Sequence, residues 1–197
     1  MKLILASRSA RRRELLEKMG VSFDVIPSEY EEEWDLASNP ETFVREVSLK
    51  KAMDVARNHP EHWVLGSDTV VVHGNRIFGK PDDESQAAEM LQALSGGSHR
   101  VITGFALVNL GMGFEEIGHE ITEVTFASLS RHEIDAYIST GDPMDKAGAY
   151  GIQGYCGMFI TGIKGCYFNV VGLPVRRVYE LLSRAGMTFM HGILKGN

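Results

Sequence analysis

The sequence of 197 residues has few cysteines and no excess of positive charge. Its two cysteines, Cys156 and Cys166, match no metal-ligand spacing and are too few for a disulfide framework, which favours a reducing compartment. Acidic residues outnumber basic ones by 26 to 20, for a formal net charge of −6. That balance, and the lack of an aromatic-basic strand motif, argue against a nucleic-acid partner. Any anion site must therefore concentrate its basic groups locally.

Long hydrophobic runs, repeats and low-complexity tracts are also missing. A single lysine precedes only four apolar residues at the start, which is too short for a signal peptide, and no run approaches membrane-spanning length. With 44% hydrophobic residues the chain can still bury a full core. We therefore expect a cytoplasmic protein without a membrane partner. We expect one domain over residues 1–197, with two lobes that divide softly near 128–145.

Apolar periodicity predicts an α/β fold in which strands and helices alternate. Strands are predicted at 2–6, 23–26, 63–66, 70–73, 99–109 and 114–126, with a polar kink between the third and fourth. Helices are predicted at 14–19, 40–56 and 83–94, then in a short stretch that Ser130 and Glu133 cap and that ends near 138, and finally after Leu173 and Pro174. The segment 158–171 is expected to be rich in strands, with glycine turns.

The first predicted helix begins with three consecutive arginines. If Ser9 is the N-cap, Arg11, Arg12 and Arg13 lie in the first turn, where the helix dipole makes each cation unfavourable by roughly 0.3–1 kcal/mol. An anion at this helix end removes the conflict, because backbone N–H groups, the dipole and the guanidinium groups all attract it. The segment therefore predicts a phosphate site. The alternative is that the arginines are solvated surface charges.

Asp68 places a carboxylate inside an apolar run, with Thr69 beside it. A buried carboxylate needs a cation, hydrogen bonds or a metal, and open α/β sheets place their ligands at strand ends. Asp68 is therefore a candidate site residue. The alternative is an Asx turn that holds Gly66 to Val70 in a kink, and Thr69 suits either arrangement.

Two lysines are candidate anion ligands. Lys51 falls on the apolar face of the helix at 40–56, whereas Lys50 points away from it. A lysine on such a face either extends to the rim or reaches an anion, and spacing alone does not decide between them. Lys80 precedes Pro81, which favours an extended or loop backbone, and by itself it is typical of the surface.

An acidic run at 29–33 follows a probable strand. Such runs are usually solvated, but a bound triphosphate is commonly accompanied by Mg²⁺ on one or two carboxylates. Glu31 or Glu32, together with Asp68, are the candidates, and spacing does not distinguish the two glutamates.

Seven motifs spread over nearly the whole chain complete this picture. They are Ser7-Arg8-Ser9-Ala10-Arg11-Arg12, Glu31-Glu32, Lys51-Ala52, Gly66-Ser67-Asp68-Thr69, Lys80-Pro81, Leu94-Ser95-Gly96 and the loop 145–154. In this order they resemble the Maf family of nucleoside triphosphate pyrophosphatases. The resemblance implies a fold related to the inosine triphosphate pyrophosphatases, with an elongated mixed sheet and two lobes around a cleft. It also implies a homodimer.

The same resemblance implies a chemistry. The reaction is hydrolysis between the α- and β-phosphates, which yields a nucleoside monophosphate and pyrophosphate with the help of a divalent metal, Mg²⁺ or Mn²⁺. By motif position, Asp68 matches the catalytic proton acceptor, and Glu32 with Asp68 matches the metal-side carboxylates. The remaining matches are specificity positions at Arg11, Thr69 and Gln153, and phosphate contacts at Ser7, Arg12, Lys51 and Lys80.

The loop at 146–153 resembles the branch of the family that acts on dTTP and UTP rather than 7-methyl-GTP. One departure is Ala10, where the family usually has proline, and we expect a slightly looser loop with the chemistry intact. The alternative function is a nucleotide-binding regulator of cell division or septum formation, which acts through a protein partner.

Overall fold

One mixed seven-stranded sheet runs through the computed structural model, which describes residues 1–31 and 39–187. Its strands are β1 (Leu3–Leu5), β2 (Phe23–Val25), β3 (Trp63–His73), β4 (Arg76–Phe78), β5 (Ser98–Asn109), β6 (Phe114–Phe126) and β7 (Ile160–Lys164). The helices are α1 (Ala10–Lys18), α2 (Pro40–Ala56), α3 (Glu84–Leu94), α4 (Arg131–Ile138), α5 (Tyr167–Val171) and α6 (Val175–Arg184). Single 3₁₀ turns span Asp142–Asp145, Ala147–Ala149 and Tyr155–Phe159.

The strand order is β2-β1-β3-β5-β6-β7, and β4 pairs with β3 outside this path. Strand β1 is parallel to β2 and β3, whereas β3, β5, β6 and β7 pair antiparallel. The long antiparallel pairs β3–β5 and β5–β6 form the centre of the sheet. The predicted fold class, a mixed α/β sheet flanked by helices, is confirmed.

Helix α2 packs closely on one face of β3 and β5 because two glycines face it. A Cβ atom on Gly66 would collide with the carbonyl oxygen of Ser48, and one on Gly104 with that of Val44. Apolar side chains of α2 complete the contact, among them the fully buried Val44. This close approach sets the height of the next helical turn, which carries Lys51, above the sheet.

The opposite face of the sheet is covered by several elements. Helices α1 and α6 bury Leu15, Leu16 and Leu182 against β1, β3 and β5. Helices α3 and α4 cover the far end of the same face, around Leu91 and Ile134. Because successive residues of a strand point to opposite faces, neighbouring residues of β3 contact different helices.

Local signals predicted most of these elements. The bounds of α2 and β6 agree with the predicted ranges. Ser9 caps α1 by accepting from the backbone N–H of Arg12, and Ser130 and Glu133 form a reciprocal capping box.

Within the described ranges, no helix combines the length and the apolar character needed to traverse a bilayer.

Two predictions about the elements are wrong, and one strand was not predicted. Strand β3 is continuous, without the predicted polar kink, because Asp68 and Thr69 pair in register with Gly104 and Thr103 of β5. The segment Tyr167–Val171 is a helix rather than part of a strand-rich stretch. Strand β4 was not predicted, since it has only three residues and follows β3 after a tight turn.

Candidate active site

The candidate site lies where β3 lacks a neighbouring strand. Strand β1 ends at Leu5, and β4 pairs with β3 only from Val71 onward, so in the described structure β3 has no strand on that side between them. A cavity of about 1380 Å³ opens at this gap, and Asp68 and Thr69 line it. The Asx-turn alternative for Asp68 is therefore wrong, because this residue lies in the middle of a regular strand.

Asp68 and Lys51 form an ion pair on the α2 side of the sheet. The Lys51 ammonium donates to Oδ1 of Asp68 at 2.7 Å, and the two side chains are 15% and 7% exposed. Lys51 thus reaches an anion rather than extending to the rim. The other carboxylate oxygen, Oδ2, is buried and has no hydrogen-bond partner among the described residues. A buried carboxylate oxygen without a partner, on a residue that lines a cavity, is a candidate ligand-binding position.

Arg12 occupies the other side of the sheet, where it ties three segments together. Its Nε donates to the carbonyl oxygen of Gly172 at 2.9 Å, and its two terminal nitrogens donate to Thr69 Oγ1 at 3.0 Å and Ser7 Oγ at 3.3 Å. The planar guanidinium is held on several edges at once, which fixes its orientation. Ser7 is itself buried beside the start of α1.

Hydroxyl groups around Arg12 have defined donor directions. Thr103 Oγ1 donates to the carbonyl oxygen of Asn169 at 3.0 Å, so its one hydrogen is used and its 3.0 Å bond with Thr69 must be donated by Thr69. Thr69 then offers the cleft only acceptor capacity. Ser7 accepts from both Ser9 N–H and Arg12, which leaves its own hydrogen for donation.

Arg11 reaches across the cleft to the loop that follows α4. Its terminal nitrogens contact Asp145, at 2.8 Å to Oδ2 and 3.3 Å to the backbone oxygen. Burial by itself raises the pKa of Asp145, but hydrogen bonds from Lys146 and Arg11 outweigh this and lower it below the ordinary value. This ion pair links residues 134 positions apart in the chain.

The structure brings eight of the predicted site residues to one cavity. They are Ser7, Arg11, Arg12, Lys51, Asp68, Thr69, Lys80 and Gln153. Lys80 is exposed and Gln153 is half-buried, and neither side chain makes a hydrogen bond to the described part of the chain. Glu31 also lines the cavity, whereas Glu32, the predicted metal-side carboxylate, lies outside the described residues.

A divalent cation would find one prepared protein ligand here. No group of three or more His, Cys, Asp or Glu side chains able to hold a metal occurs among residues 1–31 and 39–187. The orphan Oδ2 of Asp68 is nevertheless a suitable oxygen ligand. Mg²⁺ is usually bound by one or two carboxylates together with substrate phosphates, rather than by a complete protein cage. The donor set therefore fits a metal that enters together with a polyphosphate.

Sequence reasoning missed the supporting residues of this site. Thr103 is fully buried inside the apolar strand β5, the same kind of signal that identified Asp68 in β3. Asn169 is also fully buried and donates to Val101 O and Thr122 Oγ1. No local pattern marks Gly172, whose carbonyl oxygen receives Arg12, since its part depends on a contact 160 positions away.

The chain is similar to one protein family and to named members of it. The family profile described as "Maf-like protein" matches residues 2–185. A protein of Bacillus cereus (strain ZK / E33L) named dTTP/UTP pyrophosphatase is 47% identical over 190 residues, which cover 96% of this chain and 98% of that protein. One of the same name from Clostridioides difficile (strain 630) is 47% identical over 184 residues, or 93% and 95% of the two chains.

Among solved structures, the chain is similar to the Staphylococcus aureus Ham1 protein. The TM-score is 0.50, and the likeness covers 94% of this chain and 97% of the other. Only 12% of the residues are identical, so this likeness concerns the fold alone.

Proposed function

This chain belongs to the Maf family, and from that membership we propose that it is a nucleoside triphosphate pyrophosphatase that hydrolyses dTTP and UTP. The products are the nucleoside monophosphate and pyrophosphate. The observation that carries the proposal is the ion pair between Lys51 and Asp68, in the same cavity as Arg11 and Arg12 of α1. This ion pair supports the proposal because it sets a buried carboxylate in the cavity where basic side chains could hold a polyphosphate.

Asp68 is proposed as the general base. The Lys51 ammonium donates to Oδ1 at 2.7 Å, and a carboxylate can accept a proton from water. Its orphan Oδ2 faces no competing donor in the described structure. Water bound there would be oriented for attack on a phosphorus atom, with its proton passing to the carboxylate.

The phosphate groups are proposed to lie at the start of α1. Backbone N–H groups of the first helical turn and the remaining hydrogen of Ser7 are all donors, as an anionic ligand requires. Arg12 and Lys80 add positive charge from two different segments. Catalysis by such an arrangement is mainly positioning and electrostatic stabilisation of the charged transition state.

The nucleobase is proposed to lie toward Thr69 and Gln153. Thr69 offers only acceptor capacity, whereas the Gln153 amide offers both a donor and an acceptor. A uracil or thymine ring presents an N–H flanked by two carbonyl oxygens, so it can use both kinds of group. Arg11, the third specificity position, lines the same cavity and forms an ion pair with Asp145.

A divalent cation, Mg²⁺ or Mn²⁺, is proposed as the cofactor. Asp68 would hold it, together with Glu32. When bound, such an ion neutralises phosphate charge and favours ionisation of a water molecule. The fit depends on the orphan oxygen of Asp68 described above.

The experiment that tests the proposal is a measurement of pyrophosphate release. The protein is incubated with dTTP, UTP, CTP, GTP and 7-methyl-GTP, each with Mg²⁺ or Mn²⁺. We expect release from dTTP and UTP well above the other three. Release from 7-methyl-GTP alone would contradict the substrate assignment, and nucleotide binding without release from any of the five would favour the regulator.

Three properties expected from the family resemblance and composition stay predictions. They are assembly as a homodimer, location in the cytoplasm and the absence of a nucleic-acid partner. Sedimentation of the purified protein would measure the first directly.

A further inference from the structure

We propose that Tyr137 is a positioning residue for base selection, because its hydroxyl fixes the backbone that presents Gln153. This inference rests on the proposed function and adds a residue outside all of the motifs quoted above. It concerns discrimination between uracil or thymine and cytosine.

Tyr137 lies on α4 with only 3% of its surface exposed. Its hydroxyl donates to Oδ2 of Asp142 at 2.7 Å and accepts the backbone N–H of Gly151 at 3.2 Å. The ring packs edge-on against Phe159, with centroids 5.7 Å apart. The phenol therefore joins the rigid helix α4 to the loop at a point two residues before Gln153.

Lys146 holds Gly151 from another direction. A Cβ atom on Gly151 would lie 2.5 Å from Cε and 2.7 Å from Cδ of Lys146, so the lysine stem lies directly against the glycine. The ammonium of Lys146 contacts Asp142 through its backbone oxygen at 2.5 Å and Oδ1 at 3.1 Å. Asp142 thus anchors both Tyr137 and Lys146, and Gly151 is confined between them.

The same network extends to the arginine side of the cleft. Lys146 also donates to Oδ1 of Asp145 at 2.6 Å, and Asp145 accepts Arg11 at 2.8 Å through its other oxygen. Hydrogen bonds and ion pairs therefore run without a break from Tyr137 through Asp142, Lys146 and Asp145 to Arg11. The network thus bonds Arg11 directly, and it bonds the backbone at Gly151, two residues before Gln153.

Gln153 needs such support because its own side chain has none. In the described part of the chain its amide makes no hydrogen bond, so its position depends on the backbone at Gly151. The Gln153 amide carries both a donor and an acceptor. It can distinguish one base from another only if its position fixes which of the two groups faces the base. Uracil and thymine present an acceptor and an N–H donor where cytosine presents an amino donor and a ring acceptor, so the two patterns are opposite.

Tyr137 stays protonated, as this role requires. Burial raises the pKa of its hydroxyl far above the ordinary range, and the hydrogen bond to Asp142 raises it further. The phenol is thus a permanent donor to the carboxylate and keeps a lone pair for Gly151.

The test compares Tyr137→Phe with wild type in UTP and CTP. The substitution keeps the ring against Phe159 and removes only the hydroxyl. We expect the UTP-to-CTP ratio of kcat/KM to fall about tenfold, mainly through a higher KM for UTP, because a positioned hydrogen-bonding group discriminates more strongly than a mobile one. Equilibrium binding of both nucleotides without metal should show the same loss of preference.

Tyr155→Phe is the matched control, since it removes an exposed hydroxyl from a nearby 3₁₀ turn. We expect it to keep the wild-type ratio. Gly151→Ala approaches the same backbone differently, because its methyl group would displace the loop from Lys146 while the Tyr137 hydroxyl stays in place. Gly151→Ala should also reduce the UTP-to-CTP ratio of kcat/KM. This variant replaces Tyr137→Phe as the test if Tyr137→Phe does not fold.

The outcomes separate this inference from the proposed function. A wild-type protein that prefers UTP, alongside folded Tyr137→Phe with the same preference in rate and binding, would overturn the positioning role alone. A wild-type protein that releases no pyrophosphate from any nucleotide would overturn the proposed function, and the binding ratio would still decide the role of Tyr137.

Discussion

The two sides of strand β3 at the cleft differ in how their polar groups are satisfied. On the α2 side, Asp68 pairs with Lys51, and its other oxygen has no partner among residues 1–31 and 39–187. On the other side, Thr69 has its hydrogen donated to Thr103 and accepts from Arg12. Adjacent residues of one strand therefore present a carboxylate with an unpartnered oxygen to one face, and a hydroxyl whose hydrogen is already used to the other.

Strand alternation explains this division. Neighbouring side chains must point to opposite faces, so two adjacent residues can serve one ligand only where both faces open into the same space. The early end of β1 at Leu5 provides that opening beside Asp68 and Thr69. We interpret the α2 side as the side of hydrolysis and the opposite side as the side of recognition.

The largest expected effect is the loss of turnover on substitution of Asp68, on the α2 side. Asp68→Asn keeps the shape of the side chain but removes the base, so turnover should fall by roughly 10²–10⁴-fold while nucleotide binding stays near the wild-type value. Initial rates of pyrophosphate release, with binding measured in parallel, check this. Asp135→Asn, on an exposed surface pair with Arg131, is the control. Full activity of Asp68→Asn would remove it from the proposed role.

The next effect is on the recognition side. Arg12→Lys keeps the positive charge but cannot reproduce a planar fork that bonds Gly172, Thr69 and Ser7 together. We expect KM to rise about 10- to 100-fold, with a smaller change in kcat. Steady-state kinetics with UTP measures both.

Arg13→Lys is the matched control for this substitution, because Arg13 lies next in the same helix and its side chain is 55% exposed beside Glu17. An unchanged KM in Arg12→Lys would show that charge alone, rather than the fork, matters at this position.

A third prediction concerns acid stability on the recognition side. Burial first, and the nearby His73 second, lower the pKa of His99 from 6.5 to about 4. Between these values the unfolded chain takes up a proton that the folded chain does not, so stability falls as pH falls from about 6.5 toward 4. From pH 7 to pH 5 this contributes on the order of 2 kcal/mol.

Urea unfolding at the two pH values measures this contribution. His99→Phe keeps an aromatic ring beside Phe126 and Tyr150, and the difference between pH 7 and pH 5 should shrink by about that amount. His132→Gln, on the exposed face of α4, should leave the difference unchanged. An identical acid response in wild type and His99→Phe would contradict the assignment to this imidazole.

The smallest expected effect comes from Thr103→Val, which tests the assigned donor directions of the Thr69 and Thr103 hydroxyl groups. Thr103→Val preserves shape but releases Thr69 from its donor role and leaves the Asn169 carbonyl oxygen without its donor. We expect a several-fold rise in KM for UTP and a loss of about 1–3 kcal/mol in the free energy of unfolding. Thr103→Ser should restore both.

Thr125→Val is the control for Thr103→Val, because Thr125 pairs with Ser98 away from the cleft. Equal changes in KM for the two valine variants would argue against a specific role for Thr103.

Sequence reasoning found the principal side chains but not their partners. Asp68 was identifiable because a charge inside an apolar run is costly, and Lys51 because it shares the apolar face of α2. Thr103 carries a weaker form of the same signal, but its partner Asn169 is 66 positions away. Tyr137 carries no such local conflict, since its part depends on a contact with Gly151 that the fold creates. The predicted kink in β3 was wrong for a related reason, because pairing with β5 extends polar residues that look like a turn in isolation.

The sequence by itself determined most of the elements, their caps and the family, and it supplied a set of candidate site residues, because periodicity, capping and motifs can be read without the fold. Only the tertiary structure decided that Asp68 and Thr69 lie on opposite faces of β3 in one cavity, and that one network bonds Arg11 and the backbone of Gly151. Strand register and helix packing bring together groups up to 160 positions apart, and those contacts leave no periodic trace in the sequence.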